Sequence, residues 1–328
     1  MKKITFSGIW KVLKKCIKGF SDDKVPKLSA SLAYYTVFSL APLLIVILYI
    51  CGIFFGRDAI EGSIYGQMQS FVGKDAALQI QDMIKNASLS GGGTVAITIG
   101  IITLLIGATT VFAEIQDSIN TIWGLKRKPK AGWKVLVKTR LLSFGVIGSL
   151  GFLLLVSLGV TAIVESLSDK LVKHFPGIAV PAFYIINLVI TMAVVTTLFA
   201  VIFKVLPDAK IKWKDVWAGA IATAILFMVG KFAITLYISK SNIGSTYGTA
   251  GSFVVLLVWV YYSSFILYFG AEFTKAWAVK FGSEINPNHY TVFAKTIEVT
   301  EENKSLQHVE KEKEREEVKK ENEGLSQS

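Results

Sequence analysis

Charge is scarce in this chain. Only 18% of its 328 residues are Asp, Glu, Lys or Arg, against roughly 25% in a soluble protein. That shortage argues against an ordinary water-soluble domain. Histidine is scarcer still: His174, His289 and His308 are the full set, and no H-x-H or Cys/His spacing offers a metal centre. The two cysteines, Cys16 and Cys51, fall in a basic N-terminal segment and late in the first apolar run. Nearly a membrane thickness would separate them, which excludes a disulfide between them. No phosphate-binding loop for ATP is visible. A cleavable leader is not expected, because the first apolar run starts near residue 28, is too long for an h-region and lacks an A-x-A-like exit.

What the chain does have is apolar residues in blocks. Hydrophobic residues make up 52%, and the mean hydropathy is +0.51. Six blocks are long enough, at about 20 residues each, to cross a hydrocarbon core as helices: approximately Leu28–Phe55, Thr94–Ala113, Leu141–Val164, Val180–Phe203, Val216–Ile238 and Phe253–Ala271. The sequence thus predicts an all-α, polytopic membrane protein with six transmembrane helices. Three parts are expected: a basic amphipathic segment (residues 1–27), a membrane domain (28–280) and a charged, disordered tail (281–328). The tail alternates both signs of charge without an apolar stripe.

The net charge of +11 is distributed by topology. Eight lysines precede the first block, seven Lys/Arg follow the second, and Lys204, Lys210, Lys212 and Lys214 follow the fourth, while the other loops hold three, two and one. This alternation places both termini in the cytoplasm and needs no nucleic-acid partner. The expected partners are membrane lipids, above all anionic lipids of the inner leaflet; a homo-oligomer is left open. In Ile4–Phe20, Ile9, Trp10, Leu13, Ile17 and Phe20 share one helical face, with Lys11, Lys14, Lys15 and Lys18 largely on the other. Such a helix either lies on an anionic leaflet or packs on the ends of the spans. A short interfacial helix is expected over Asp75–Ser88.

Charges inside spans are costly and therefore informative. Glu114, Asp117 and Asn120 recur every three residues at the inner end of the second block, and Glu272 lies at the matching end of the sixth. Either these carboxylates pair with basic loops and lock helix ends, or they line a cavity and handle a proton, a cation or a cationic head group. Lys231 in the fifth block either snorkels outward or faces that cavity, and Asn187 sits mid-block in the fourth. Tyr34 and Tyr35 open a polar first span that Pro42 should kink. Lys126, Arg127, Lys128, Lys130 and Lys134 form a cationic run that either sets topology or binds lipid phosphate. Glycines 145, 148 and 151 suit close helix packing. Between the fifth and sixth blocks, Gly244, Tyr247, Gly248 and Gly251 lie in a Gly/Ser/Thr-rich turn whose irregular backbone must avoid lipid. Its spacing is not G-x-G-x-x-G, so a dinucleotide site is excluded.

"SASLAYYTVFSLAPLL" (Ser29–Leu44), "AEIQDSINTIWG" (Ala113–Gly124) and "STYGTAGSFVVLLVWVYYSSFILYFGAEF" (Ser245–Phe273) resemble signature segments of the YihY/BrkB family of bacterial inner-membrane proteins. The resemblance covers about residues 20–280. It implies six helices in the cytoplasmic membrane, and its names carry a link to serum resistance and an older ribonuclease BN label. The histidines lie apart from the carboxylates, and no aromatic-basic surface for RNA is evident. The expectation is therefore a non-enzyme without cofactor or metal: a transporter or flippase of a lipid or other amphiphilic anion, or else a scaffold for envelope assembly.

Overall fold

A computed structural model describes residues 5–39, 94–128, 145, 176–240 and 251–294. Six helices account for most of them: α1 (Phe6–Asp22), α2 (25–39), α3 (Thr94–Trp123), α4 (Pro176–Val205), α5 (Trp213–Lys240) and α6 (Gly251–Phe281). Within the described residues, Ile185–Val205, Trp213–Ile234 and Phe253–Phe281 are long and apolar enough to cross a membrane.

Local chemistry sets the helix ends. Thr5 caps α1 by accepting a hydrogen bond from the Gly8 N–H at 3.2 Å. Lys24, at φ 51°, reverses the chain after α1, and Pro26, with its fixed φ, suits the first turn of α2. Gly124 stops α3 in the left-handed region at φ 69°. Helix α4 ends ahead of Pro207, as expected where proline disfavours helical backbone in the residue before it.

The all-α reading needs one amendment among the described residues. Four short strands, β1 (Leu125–Arg127), β2 (Ala209–Lys210), β3 (Asn286–Pro287) and β4 (Thr291–Phe293), form two antiparallel ribbons. β1 pairs with β4, setting Lys126 opposite Val292, and β2 pairs with β3. Strands of two or three residues carry no periodic signal, so composition could not reveal them. They tie residues 286–293 to the loops that follow α3 and α4, and the helices run beyond the apolar blocks to reach these ribbons.

The best-packed part of the core lies at this end of the bundle, called here the polar end. Ile119 and Ile122 of α3, Phe203 of α4, Val216 of α5 and Tyr268 of α6 are all fully buried there. Towards the other end, Ile185, Val189, Val229 and Phe232 face outward from α4 and α5, an exterior suited to hydrocarbon.

Helices α5 and α6 meet through a reciprocal pair of small residues. Gly219 faces Thr274, and Gly270 faces Thr223. Each threonine turns its hydroxyl back onto its own helix: Thr223 Oγ1 donates to the Gly219 carbonyl and Thr274 Oγ1 to the Gly270 carbonyl, both at 2.7 Å. An added Cβ at Gly219 would come within 3.0 Å of the Thr274 Cα, so the backbones are in near contact. The glycine spacing that the sequence offers for close packing lies in residues 145–151, of which only Gly145 is described.

Candidate functional site

Two polar constellations are built at the polar end. The larger centres on Asp208, which follows Pro207 between α4 and β2 and is 2% exposed. Its Oδ1 accepts from Gln116 Nε2 at 3.0 Å and from the Tyr290 hydroxyl at 3.1 Å. Its Oδ2 accepts from Asn120 Nδ2 at 2.9 Å and from Arg127 Nε at 3.1 Å. The backbone joins in. The Asp208 N–H donates to Asn120 Oδ1 at 2.9 Å, and the Asp208 carbonyl accepts from Thr291 Oγ1 at 2.8 Å and the Asn288 N–H at 3.0 Å. A buried carboxylate with four donors, one of them a guanidinium, is compensated for leaving water. One residue thereby fastens α3, β1, the α4–β2 link and the C-terminal strands together.

The second constellation surrounds Glu272 on α6. It is 2% exposed. Gly19 of α1 lies so close that an added Cβ would sit 2.7 Å from Glu272 Oε2, which explains a residue without a side chain there. Lys275 Nζ is 3.8 Å from Oε2 and 3.4 Å from Asp23 Oδ2, and it also donates to the Ile122 carbonyl of α3. Glu272 Oε1 has no hydrogen-bond partner among the described residues. Asp22 and Asp23 place further negative charge near this carboxyl. One turn away, Cys16 is fully buried, with Sγ 3.7 Å from the Phe269 carbonyl. Burial, aided by the charge of Glu272 and opposed by that of Lys275, pushes the Cys16 thiol up to about 12.

Asp117 and Glu272, at matching levels of their helices, turn to different surroundings. Asp117 is 62% exposed and pairs with Arg127 at 3.6 Å, whereas Glu272 is sealed between α6 and α1. Successive steps of three residues turn a helix by 300°, so positions 114, 117 and 120 fan over about 120° and diverge. Asn120 turns to Asp208, Asp117 turns outward, and Glu114 is half-buried.

The cationic run is also divided. Arg127 is committed to Asp208 and Asp117; Lys126 is exposed, and the exposed Lys128 donates to the His289 carbonyl at 2.9 Å. Lys231 is half-buried on α5, and the carbonyl of Asn187 accepts from Thr191 Oγ1 at 2.8 Å. Tyr34 and Tyr35 are exposed on α2 with ring centroids 5.7 Å apart. Gly251 opens α6. Pro42, Gly244, Tyr247, Gly248, Lys130 and Lys134 lie outside the described residues, as do residues 75–88 and the tail beyond 294. Asp208 was missed by sequence reasoning. The available signals were an acid following a proline in a largely basic loop, and Gln116 and Asn120 spaced i, i+4 on a helix.

Comparison with known proteins is consistent with this picture. A family model described as virulence factor BrkB matches residues 16–291. A UPF0761 membrane protein of Verminephrobacter eiseniae is 27% identical over 81% of this chain, and one of Ralstonia nicotianae is 25% identical over 76%. The aligned regions span only 62% and 55% of those relatives. A UPF0761 membrane protein of Alteromonas mediterranea is 25% identical over 79% of this chain and 84% of its own length. No solved structure matches.

Proposed function

Since the chain belongs to the virulence factor BrkB family and is a membrane protein, we propose that it carries a lipid or other amphiphilic anion across the bacterial cytoplasmic membrane. In this reading the polar end and both termini face the cytoplasm.

The observation that carries the reading is Glu272. Glu272 is buried beside the Asp23 carboxyl, with one oxygen lacking a donor among the described residues and Lys275 no nearer than 3.8 Å, so it is expensive to keep charged. It gains by taking a proton or by exchanging its cationic partner, which is what a coupled gate requires. The groups facing it are Lys275 on its own helix, Asp22 and Cys16 on α1, and Asp23 just beyond α1. Exposed Lys126 and Lys128 would gather the anionic head group, and Lys231, Asn187, Tyr34 and Tyr35 remain pathway candidates.

The test is leaflet exchange of a fluorescent anionic lipid in proteoliposomes, followed by an added quencher. Exchange well above that of empty vesicles, reduced about tenfold in a folded Glu272→Gln variant, supports the reading; a tenfold effect is the loss of about 1.4 kcal/mol of stabilisation. No exchange with several head groups, with and without a proton gradient, overturns it.

A scaffold for envelope assembly is favoured by a different observation: the Asp208 constellation and the Asp117–Arg127 pair lock helix ends to loops. That reading gains if exchange stays at the level of empty vesicles and the exposed basic end retains partner proteins in a lysine-dependent way.

A further inference from the structure

Helix α1 shows three faces, and the bundle accounts for only one of them. Gly8, Val12 and Cys16 are buried, with Gly8 against Phe281, Cys16 against the Phe269 carbonyl and Gly19 against Glu272. Phe20 stacks edge-on against Phe265 at 4.5 Å. The helix therefore runs back along α6 from its polar end.

At 100° per residue, Phe6, Trp10, Leu13 and Ile17 fall within about 60° of one another on a second face. No described residue covers this face: Phe6 is 88% exposed, Trp10 59% and Ile17 63%. On the third face, Lys11, Lys14, Lys15 and Lys18 are all exposed. The only acid in the helix is Asp22, at its last position.

We propose that this apolar stripe and its lysine border dock onto anionic phospholipid at the membrane surface of the polar end. Four features choose the occupant. The large apolar side chains are flanked on one side by cations, as an interface lined with phosphate requires. Trp10 is the residue type that settles at head-group depth. Through Asp23 and Lys24 the helix leads directly into α2, whose sequence enters an apolar block, so α1 is held beside the bilayer. Lastly, its lysines flank the inner stretch of α6, where a deeper position would bury them in hydrocarbon.

The experiment uses the full chain in vesicles of phosphatidylcholine with added phosphatidylglycerol. Quenching of tryptophan emission is compared between the native chain and Trp10→Phe, so that the difference reports Trp10 alone. Two quenchers are used at equal density: phosphatidylglycerol and phosphatidylcholine, each carrying a nitroxide high on the acyl chain. The expected result is that labelled phosphatidylglycerol quenches Trp10 about two to three times more strongly than labelled phosphatidylcholine at low salt. That ratio should fall to about one at 0.5 M salt and in a chain with Lys11, Lys14, Lys15 and Lys18 each changed to Gln.

A ratio of one in the native chain overturns the proposal. So does a Trp10 that aqueous iodide reaches and lipid quenchers do not. A Trp10 shielded from all three quenchers and uncovered as the protein is diluted in lipid also overturns it, since a second copy would then be the occupant. Ile17→Trp in the otherwise native chain, read as the difference from the native chain, gives an independent probe on the same stripe should Trp10→Phe fold poorly. Because the readout needs no transport, it stands or falls separately from leaflet exchange.

Discussion

Asn120 and Asp208 grip each other in both directions: the Asn120 amide donates to the Asp208 carboxylate at 2.9 Å, and the Asp208 backbone N–H returns a bond of 2.9 Å to the Asn120 carbonyl oxygen. The pair bridges 88 residues of sequence and leaves neither side chain a loose polar atom to expose. Around it, Gln116, Arg127 and Tyr290 complete the carboxylate.

Removing that carboxylate should cost far more than removing the one beside it. Asp208→Ala strands several buried donors at once and should lower stability by roughly 2–4 kcal/mol. Asp117→Ala breaks only an exposed pair and should change it by about 0–1 kcal/mol. Thermal unfolding in detergent, followed by loss of the monodisperse peak, compares the two. Equal effects would mean that Asp208 is not the fastening point.

The α5–α6 contact predicts an asymmetric rescue. Gly270→Ala and Gly219→Ala should each cost roughly 1–3 kcal/mol by overpacking. Adding Thr223→Ala removes the two nearest atoms met by a methyl at position 270, leaving Phe203 Cζ at 2.9 Å, and should restore much of the loss. Adding Thr274→Ala to Gly219→Ala should restore little, because alanine keeps the Cβ at 2.7 Å and the Cα remains at 3.0 Å. Melting temperatures of the four variants decide it, and equal rescue by both threonine changes would contradict the backbone contact.

Cys16 should be silent to maleimide at pH 7–8 in the folded protein and should label once the chain is unfolded, as read by peptide mass. Its effect on stability has a definite sign. The folded thiol titrates near 12 rather than the ordinary 9.0, so both states are protonated below about pH 9 and no pH dependence arises there. From pH 9 towards 12 the unfolded chain gives up the proton first, and stability falls as pH rises. Cys16→Ser, which retains a donor for the Phe269 carbonyl, should flatten that fall in midpoint measurements. An unchanged slope would assign it to other groups.

Truncation should separate the contribution of the C-terminal strands from that of the residues beyond 294. A chain ending at residue 294 retains Asn288, Tyr290 and Thr291, whereas one ending at 284 deprives Asp208 of all three. The shorter chain should melt several degrees lower; identical melting would remove the C-terminal ribbons from any part in stability.

Much of the helical architecture was legible because long apolar runs have few physical solutions in a bilayer. The charged sites were legible by depth and not by direction. Asp117 and Glu272 occupy matching levels of their helices, yet one faces outward to Arg127 and the other inward to Gly19. That angle depends on which helices are neighbours, which a single sequence does not state. Asp208 was hidden for another reason. Its partners come from segments at 116–127 and 288–291, and only the folded chain brings these around one carboxylate. The α5–α6 small-residue contact went unread because G-x-x-x-T in α5 and in α6 is commonplace alone and acquires meaning only when the helices run antiparallel.

The long reach of Asp208 also bears on biosynthesis. Gln116, Asn120 and Arg127 are made before it, but Tyr290 and Thr291 emerge 82 and 83 residues later. At 5–20 residues per second that is an interval of roughly 4–17 s, during which α5 and α6 are being synthesised. Until then the carboxylate is served from the N-terminal side alone. The last strand is therefore a closing stitch, added after the helices it secures, and a ribosome that stalls before residue 290 releases a chain whose inserted helices lack it.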